Sequence, residues 1–147
     1  MNHVGIALIA FAAGAAVAGS GATTLLGPQA ITWEHIESGT GKGLSKPIVR
    51  SATATLDELE MHVTHLPAGQ SPHPPHTHPE EEVLILKEGT LDVMQSGKTT
   101  RLGPGSVAFQ ASGQLHGVRN VGQTPATYYI IRWASPGMHK AAAAKTQ

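Results

Sequence analysis

The sequence predicts an all-β fold, a closed antiparallel barrel or sandwich, from three observations. Short apolar segments follow one another along most of the chain, and several alternate with polar residues in the period-two pattern of half-buried strands. Turn signals, chiefly glycine and proline, recur between these segments about every 8–12 residues. No segment before the C-terminal tail has a convincing helical period. Short strands at this spacing are typical of barrels and of two packed sheets.

Seven segments are predicted as strands. The first alternates apolar and polar residues and ends at Pro67, whereas the second is continuously apolar and ends before Gly89. Residues 95–97 have the composition of a hairpin loop between the third and fourth strands. The predicted strands are 59–66, 83–86, 91–94, 99–102, 106–109, 116–119 and 127–133.

The chain of 147 residues is expected to hold one domain behind an N-terminal leader. Residues 4–18 are all apolar or glycine, and residues 16–18 fit a signal-peptidase cleavage pattern. We predict a signal peptide or membrane anchor over 1–26, a linker-like segment over 27–50, the folded domain over 51–136 and a tail over 137–147. The leader predicts a periplasmic or secreted protein that contacts a membrane only if the leader is not cleaved.

The composition argues against several classes of function. Lysine and arginine number 10, and so do aspartate and glutamate, which leaves a formal net charge of zero. Nucleic-acid binding would need a basic face to displace counterions from phosphate, so we expect no nucleic-acid partner. The absence of cysteine excludes disulfides, thiolate metal sites and a cysteine nucleophile. A small-molecule substrate is the expected partner.

Residues 73–83, HPPHTHPEEEV, concentrate three histidines and three glutamates in a chain with few charges. In an extended segment a period of two sends the side chains of His76 and His78 to one face. Glu82 shares their parity, so these three side chains can converge. Imidazole nitrogens and a carboxylate oxygen suit a divalent ion such as Mn, Fe, Ni or Zn. A fourth ligand must come from elsewhere in the chain, and His116 is the obvious donor.

These residues resemble the two motifs of a small single-domain cupin of the type with three histidine ligands and one glutamate. Residues matching the first motif, a glycine, an H-x-H pair, a glutamate and a later glycine, are Gly69, His76, His78, Glu82 and Gly89. Residues matching the second motif, two glycines, a histidine and an asparagine, are Gly105, Gly113, His116 and Asn120. The sequence departs from the usual pattern at Gly69, which lies one residue too far from His76, and at Ala111, where the second motif usually has proline.

The resemblance implies a conical β-barrel, also described as a double-stranded β-helix or jelly roll. The mouth of the barrel would hold one divalent transition metal on His76, His78, Glu82 and His116. Mn or Fe is favoured, with Zn, Ni or Cu as alternatives. Four protein ligands on an octahedral ion would leave two positions for exchange, as in a catalytic site. Because small cupins commonly dimerise, the resemblance also implies a homodimer, in which the strand-like segment 31–36 could pair across the interface.

The leading prediction is therefore a metal-dependent cupin enzyme, a dioxygenase or other oxidoreductase, acting on a small oxygen-rich organic molecule bound at the metal. Glu82 is the predicted catalytic residue, which tunes the charge of the metal or moves to act as a base. Decarboxylation, isomerisation or lyase chemistry would use the same residues. The alternative is a non-catalytic, metal-containing module that binds a small molecule. A third interpretation, a metal store, would bind more than one metal ion per chain.

Other polar residues have competing interpretations. His73 lies between prolines and is expected to be a solvent-exposed loop residue. His62 and His65 have opposite parity on one predicted strand, so at most one of them faces the interior. Arg119 and Arg132 could each bind a substrate carboxylate or form a salt bridge on the exterior of the barrel.

Overall fold

The computed structural model describes residues 24–41 and 43–138, which form one short helix and eight strands. Helix α1 spans Trp33–Ser38. The strands are β1 (Ser45–Ser51), β2 (Glu58–Leu66), β3 (Glu81–Glu88), β4 (Leu91–Gln95), β5 (Lys98–Leu102), β6 (Val107–Gln110), β7 (His116–Asn120) and β8 (Ala126–Ala134). The prediction of a mostly-β fold is confirmed, and each of the seven predicted strands is present.

The strands form two antiparallel sheets. The larger sheet has the order β1-β2-β8-β3-β6, and the smaller has the order β5-β4-β7. Side chains alternate between the two faces of each strand, so one face of each sheet points to the interior. The alternation is clear in β3, where Glu82, Leu84 and Leu86 are buried. The predicted parity of these three residues is therefore confirmed.

Two local predictions differ from the structure. The prediction that segment 31–36 is strand-like is wrong, because residues from Trp33 onward form helix α1. Thr32 caps this helix by accepting a hydrogen bond from the backbone N–H of His35. Threonine is a favoured N-cap residue, but this helix-start signal was overlooked because the segment was interpreted as a strand. Strand β1, which lies mostly in the predicted linker-like segment, was missed. Its pattern is interrupted near Pro47, where the register with β2 shifts, and proline is tolerated there because β1 is an edge strand.

The predicted leader and tail fall largely outside the described residues. Residues 1–23 of the predicted leader and residues 139–147 of the tail belong to this undescribed part. Within the described ranges, no helix has the length and apolar character needed to cross a membrane.

An apolar core fills the space between the two sheets and leaves one end of the barrel polar. The inward faces of β3 and β8 contribute Leu84, Leu86 and Tyr128, and β4 contributes Leu91 and Val93. At the other end of the same inward faces lie Glu82, the second residue of β3, and Arg132, near the end of β8. Apolar side chains therefore fill one end of the space between the sheets, and polar side chains lie together at the other end.

Gly89 is expected to be the least replaceable of the turn glycines. Its φ is +93°, and a Cβ atom would lie 2.7 Å from the Cα atom of Ala126. We expect Gly89→Ala to lower the free energy of unfolding by about 2–3 kcal/mol, because a left-handed backbone and a steric clash act together. Gly97→Ala is the matched control, since Gly97 has a φ of +84° but open space around its Cα atom. Urea denaturation measures the free energy of unfolding of both variants, and the difference between their losses gives the cost of the clash. Equal losses would show that Ala126 moves enough to relieve it.

Candidate metal centre

The two histidines of the first motif lie in the loop before β3, and backbone hydrogen bonds fix this loop against β7. His76 and His116 form an isolated antiparallel bridge, with N–H to O distances of 3.0 Å in both directions. The N–H of Gly113 also donates to the carbonyl of His78 at 2.9 Å. These bonds satisfy the loop backbone and hold the two motifs together.

The three imidazoles face one another across a small volume. One ring nitrogen from each of His76, His78 and His116 lies within 4.8 Å of the others. Ring centroids are 5.3 Å apart for His76 and His78, 4.7 Å for His76 and His116, and 4.8 Å for His78 and His116. The structure thus brings together the three histidines selected from the sequence, and together they could hold a metal ion.

Hydrogen bonds fix the tautomers of two of these rings. Nδ1 of His78 is 3.0 Å from the carbonyl oxygen of Glu80, and Nδ1 of His116 is 2.9 Å from that of Gln114. A carbonyl oxygen only accepts, so each Nδ1 carries the hydrogen and each Nε2 keeps a lone pair. Both Nε2 atoms, and Nδ1 of His76, are buried without a partner among the described residues. Metal-binding histidines commonly donate their other ring N–H to a carbonyl oxygen, as His78 and His116 do here. The buried nitrogens without a hydrogen-bond partner are therefore suited to bind a metal ion.

His76 is held in the neutral form that a metal ligand requires. Burial is the main cause that lowers its pKa to about 4, and the charges of His73, His116, His78 and Arg132 lower it further. A neutral imidazole at physiological pH binds a cation without first releasing a proton.

The metal-free protein is expected to lose stability as the pH falls from 6.5 to about 4, the interval between the ordinary and the native pKa of His76. In this interval the unfolded chain takes up a proton that the folded chain excludes, so acid favours unfolding. Urea unfolding midpoints measured across this range provide the test. The loss should be smaller in His76→Gln, which has no proton to take up, and an identical loss in the variant would contradict the prediction.

Glu82 borders the histidine cluster at the start of β3. Its Oε2 is 3.5 Å from Nε2 of His78, and the residue is only 9% exposed. Arg132 is its partner in register on β8, and Gln110 is its partner on β6. The structure places Glu82 beside the three histidines, and its role as the fourth ligand stays a prediction.

A cavity of about 230 Å³ opens beside the cluster. His76, Glu82 and His116 line it together with residues from the facing strands and the loop. These other residues are Ser45, His62, Thr64, Pro72, His73, Gly117, Val118, Tyr128, Ile130 and Arg132. Pockets for drug-sized ligands run from about 300 to 1,000 Å³, so this cavity suits a smaller molecule.

The structure separates residues that the sequence left ambiguous. His62 lines the cavity, whereas His65 lies on the opposite face of β2 and contacts the ring of Trp33. Arg132 lines the same cavity, and Arg119 is exposed outside it. His73 is exposed as predicted, but its ring packs at 4.2 Å from the ring of His76 and borders the cavity.

Three hydroxyl-bearing residues, Ser45, Thr64 and Tyr128, lie together on the cavity wall, which the sequence did not indicate. Tyr128 is 2% exposed, and burial raises the pKa of its phenol to about 12; the charge of Glu82 also raises the pKa, whereas a hydrogen bond with Thr64 lowers it. The hydroxyl oxygens of Thr64 and Ser45 are 3.0 Å apart. Tyr128 is therefore a protonated donor at physiological pH. Ser45 gave no signal because β1 was not recognised as a strand.

Two antiparallel sheets with a histidine cluster at one end agree with the cupin resemblance noted in the sequence. The Cupin_2 family of cupin domains matches residues 62–132, which contain all four predicted ligands. Residues 62–132 thus match a cupin domain, and the resemblance noted in the sequence is confirmed.

Two solved structures share the fold. The cupin domain of Schizosaccharomyces pombe Cnp3 has a TM-score of 0.62 at 16% identity, over 73% of this chain and 77% of that one. An RmlC-like cupin from Shewanella frigidimarina has a TM-score of 0.57 at 17% identity, over 75% of this chain and 94% of that one. Identities this low establish the fold alone.

One curated relative is an enzyme. Dimethylsulfoniopropionate lyase DddQ from Ruegeria pomeroyi is 38% identical over 64 residues, which make up 43% of this chain. The matched segment covers 31% of the length of the lyase, so the similarity concerns about a third of that enzyme.

Proposed function

We propose that this protein is a metal-dependent enzyme acting on a small oxygen-rich molecule held at a mononuclear divalent metal centre. One observation carries the proposal: three imidazoles, each with a buried ring nitrogen that has no hydrogen-bond partner among the described residues, lie together beside a polar cavity. A purely structural metal site is closed by its protein ligands, whereas a catalytic site borders space for a substrate.

The side chains at this site have different proposed roles in binding the metal and the substrate. His76, His78 and His116 would hold the metal, with Glu82 as the fourth ligand, and Mn or Fe is the favoured ion. When bound, a divalent metal supplies a Lewis acid that polarises an oxygen of the substrate. Tyr128 and Arg132 line the cavity and can donate hydrogen bonds to other substrate oxygens. Glu82 remains the proposed catalytic carboxylate, which would either bind the metal or accept a proton from the substrate.

Two reaction classes are candidates for this site. Oxidation by dioxygen is the class favoured by the sequence. Elimination is the second candidate because the relative with 38% identity is named as a lyase. Elimination from dimethylsulfoniopropionate removes a proton from the carbon beside the carboxylate. The C–H electron pair forms the double bond of acrylate, and dimethyl sulfide leaves with the electron pair of the broken C–S bond.

One experiment tests the proposal and separates the two reactions. The protein is loaded with Mn²⁺, Fe²⁺ or Zn²⁺, and turnover is compared with that of the metal-free protein. Oxygen consumption is measured with small hydroxy acids, diketones and phenols, and dimethyl sulfide release is measured with dimethylsulfoniopropionate. Metal-dependent turnover in either assay supports an enzyme. About one bound metal per chain without turnover of any compound would favour the non-catalytic binding module, and no bound metal would overturn both interpretations.

We also propose that the protein is a homodimer that associates through β6, an edge strand of the larger sheet. Val107 and Phe109 on this strand are 59% and 49% exposed, and the ring of Phe109 stacks on that of Trp133. A second copy can add its own β6 about a two-fold axis and cover this apolar surface. Phe109→Glu is then expected to give monomers in analytical ultracentrifugation, with Lys98→Glu on β5 as the control. A monomeric parent would refute the proposal.

A further inference from the structure

We infer that His62, positioned by Glu60, is the residue that takes up and returns a proton in this cavity. The inference rests on the proposed function, because it assigns a second catalytic group to the same site. It adds a base that does not bind the metal, whereas Glu82 is itself a predicted ligand.

His62 and Glu60 lie two residues apart on β2, so their side chains share the inward face. Nδ1 of His62 is 2.7 Å from Oε1 of Glu60. A carboxylate accepts this bond, so Nδ1 carries the hydrogen and Nε2 keeps the lone pair. Nε2 of His62 makes no hydrogen bond with any residue of the ranges 24–41 and 43–138, and His62 lines the cavity. The free nitrogen is therefore available to a substrate.

Glu60 is suited to hold His62 because it is buried and ionised. Burial acts to raise the pKa of Glu60, but the hydrogen bond and charge of His62, with the charges of Arg132 and Arg50, lower it below the usual value. Nε of Arg132 lies 3.6 Å from Oε2 of Glu60. A buried carboxylate beside a histidine selects one tautomer of the imidazole and stabilises the imidazolium that forms during proton transfer.

Arg132 links this pair to the metal-binding side of the cavity. In register, Arg132 on β8 lies between Glu60 on β2 and Glu82 on β3. The Glu60–Arg132–Glu82 row therefore crosses the sheet on its inward face. Taking such charges out of water is costly, and apolar residues would fill the barrel as well. A purely structural ion pair also does not explain why His62 lines the cavity.

The proton-transfer step is balanced without another reactant. A substrate C–H or O–H bond gives its proton to Nε2 of His62, and its electron pair stays on the substrate. In an elimination, that pair becomes the new double bond while the leaving group departs with the electrons of its own bond. The imidazolium is stabilised by Glu60 and then returns its proton to the product or to water.

The titratable and charged groups around His62 come from four strands and one loop. They are Glu60 on β2, Tyr128 and Arg132 on β8, Glu82 on β3, and His73 and His76 in the loop before it, with His116 on β7. Glu60 is the member in direct hydrogen-bond contact with His62, so its replacement isolates the pair.

The first test measures the imidazole itself by ¹⁵N NMR of the Zn²⁺-loaded protein. The signals of His62 are identified by their loss in His62→Gln. We expect the tautomer with hydrogen on Nδ1, and we expect Glu60→Gln to weaken this tautomer preference. Hydrogen on Nε2 in the parent, or the same tautomer preference in Glu60→Gln, would overturn the assignment. This measurement needs no substrate, so it tests whether Glu60 positions His62 even if no turnover is found.

The second test uses the compound turned over in the assays above. We expect His62→Gln to lower kcat at least about 100-fold with the metal content unchanged. Glu60→Gln should lower kcat less and shift the acid limb of its pH profile to lower pH. His65→Gln, on the opposite face of the same strand, is the matched control and should keep the parent rate. Full activity of His62→Gln would overturn the inference and leave the proposed function intact, whereas an inactive parent would count against the proposed function.

Discussion

Replacing His116 with alanine is expected to lower the affinity for a divalent metal more than about 100-fold. Even the outer partners of metal ligands typically contribute 10–100-fold to affinity, so removal of a ligand should cost more. Nε2 of His116 is one of three unpartnered nitrogens that converge in the cluster, and the remaining two cannot close a stable site. His78→Ala should have a similar effect.

The measurement is metal content by elemental analysis, followed by competition with a chelator of known affinity. The parent should bind about one ion per chain, since the described residues place three histidines in a single cluster. His73→Ala is the matched control, because its ring packs on His76 but lies outside that cluster. Equal metal loss in His73→Ala and His116→Ala would contradict the assignment. More than one ion per chain would favour the metal store.

Thermal unfolding provides an independent readout of the same variants. A ligand that binds only the folded state stabilises it by about 2.7 kcal/mol at 100 times its dissociation constant. The parent should therefore gain melting temperature on addition of metal, and His116→Ala should gain little. If the metal-free variant melts like the metal-free parent, loss of binding is not a consequence of misfolding. Glu82→Gln belongs in this series, and an unchanged affinity there would remove Glu82 from the ligand set.

Much of the candidate site could be predicted because local geometry carries it. A period of two fixed the shared face of Glu82, Leu84 and Leu86 before any pairing was known, and each of these residues is buried. The convergence of His76 with His116 is less local, since it depends on the backbone bridge between the loop and β7. Parity could not show that these histidines would meet, and the prediction of His116 as a ligand rested on its residue type and on the resemblance to two separate motifs.

The rest could not be predicted because it depends on pairing across strands. Parity shows that His62 and His65 face opposite ways, but it does not show which of them faces inward. Arg132 was equally compatible with the exterior, and its position beside Glu60 follows from the register of β8 against β2. The Glu60 and His62 pair was overlooked for the same reason, although both residues lie in a recognised strand. Strand β1 was missed because a proline and an edge position weaken its alternation.

The largest expected effect on folding comes from Asn120, the last residue of β7. Its side chain is fully buried and makes three hydrogen bonds to backbone groups. Nδ2 donates to the carbonyls of Leu66 and Thr124 at 2.8 and 2.9 Å, and Oδ1 accepts from the N–H of Gly122 at 2.9 Å. Asn120→Ala would leave all three groups unpaired, and each buried unpaired group costs about 1–3 kcal/mol. We expect a loss of about 3–5 kcal/mol in the free energy of unfolding.

Asn120→Asp sharpens the argument because it changes hydrogen bonding with almost no change in shape. The carboxylate can still accept from Gly122, but its second oxygen faces the carbonyl oxygens of Leu66 and Thr124 and repels them. A protonated carboxyl can donate to one of these carbonyls, so the destabilisation relative to the parent should be smaller near pH 4 than near pH 7. Urea denaturation at both pH values measures this, with Gln123→Ala as an exposed control in the same turn. A pH-independent difference would mean that the lost hydrogen bonds to Leu66 and Thr124 are not what makes Asn120 necessary.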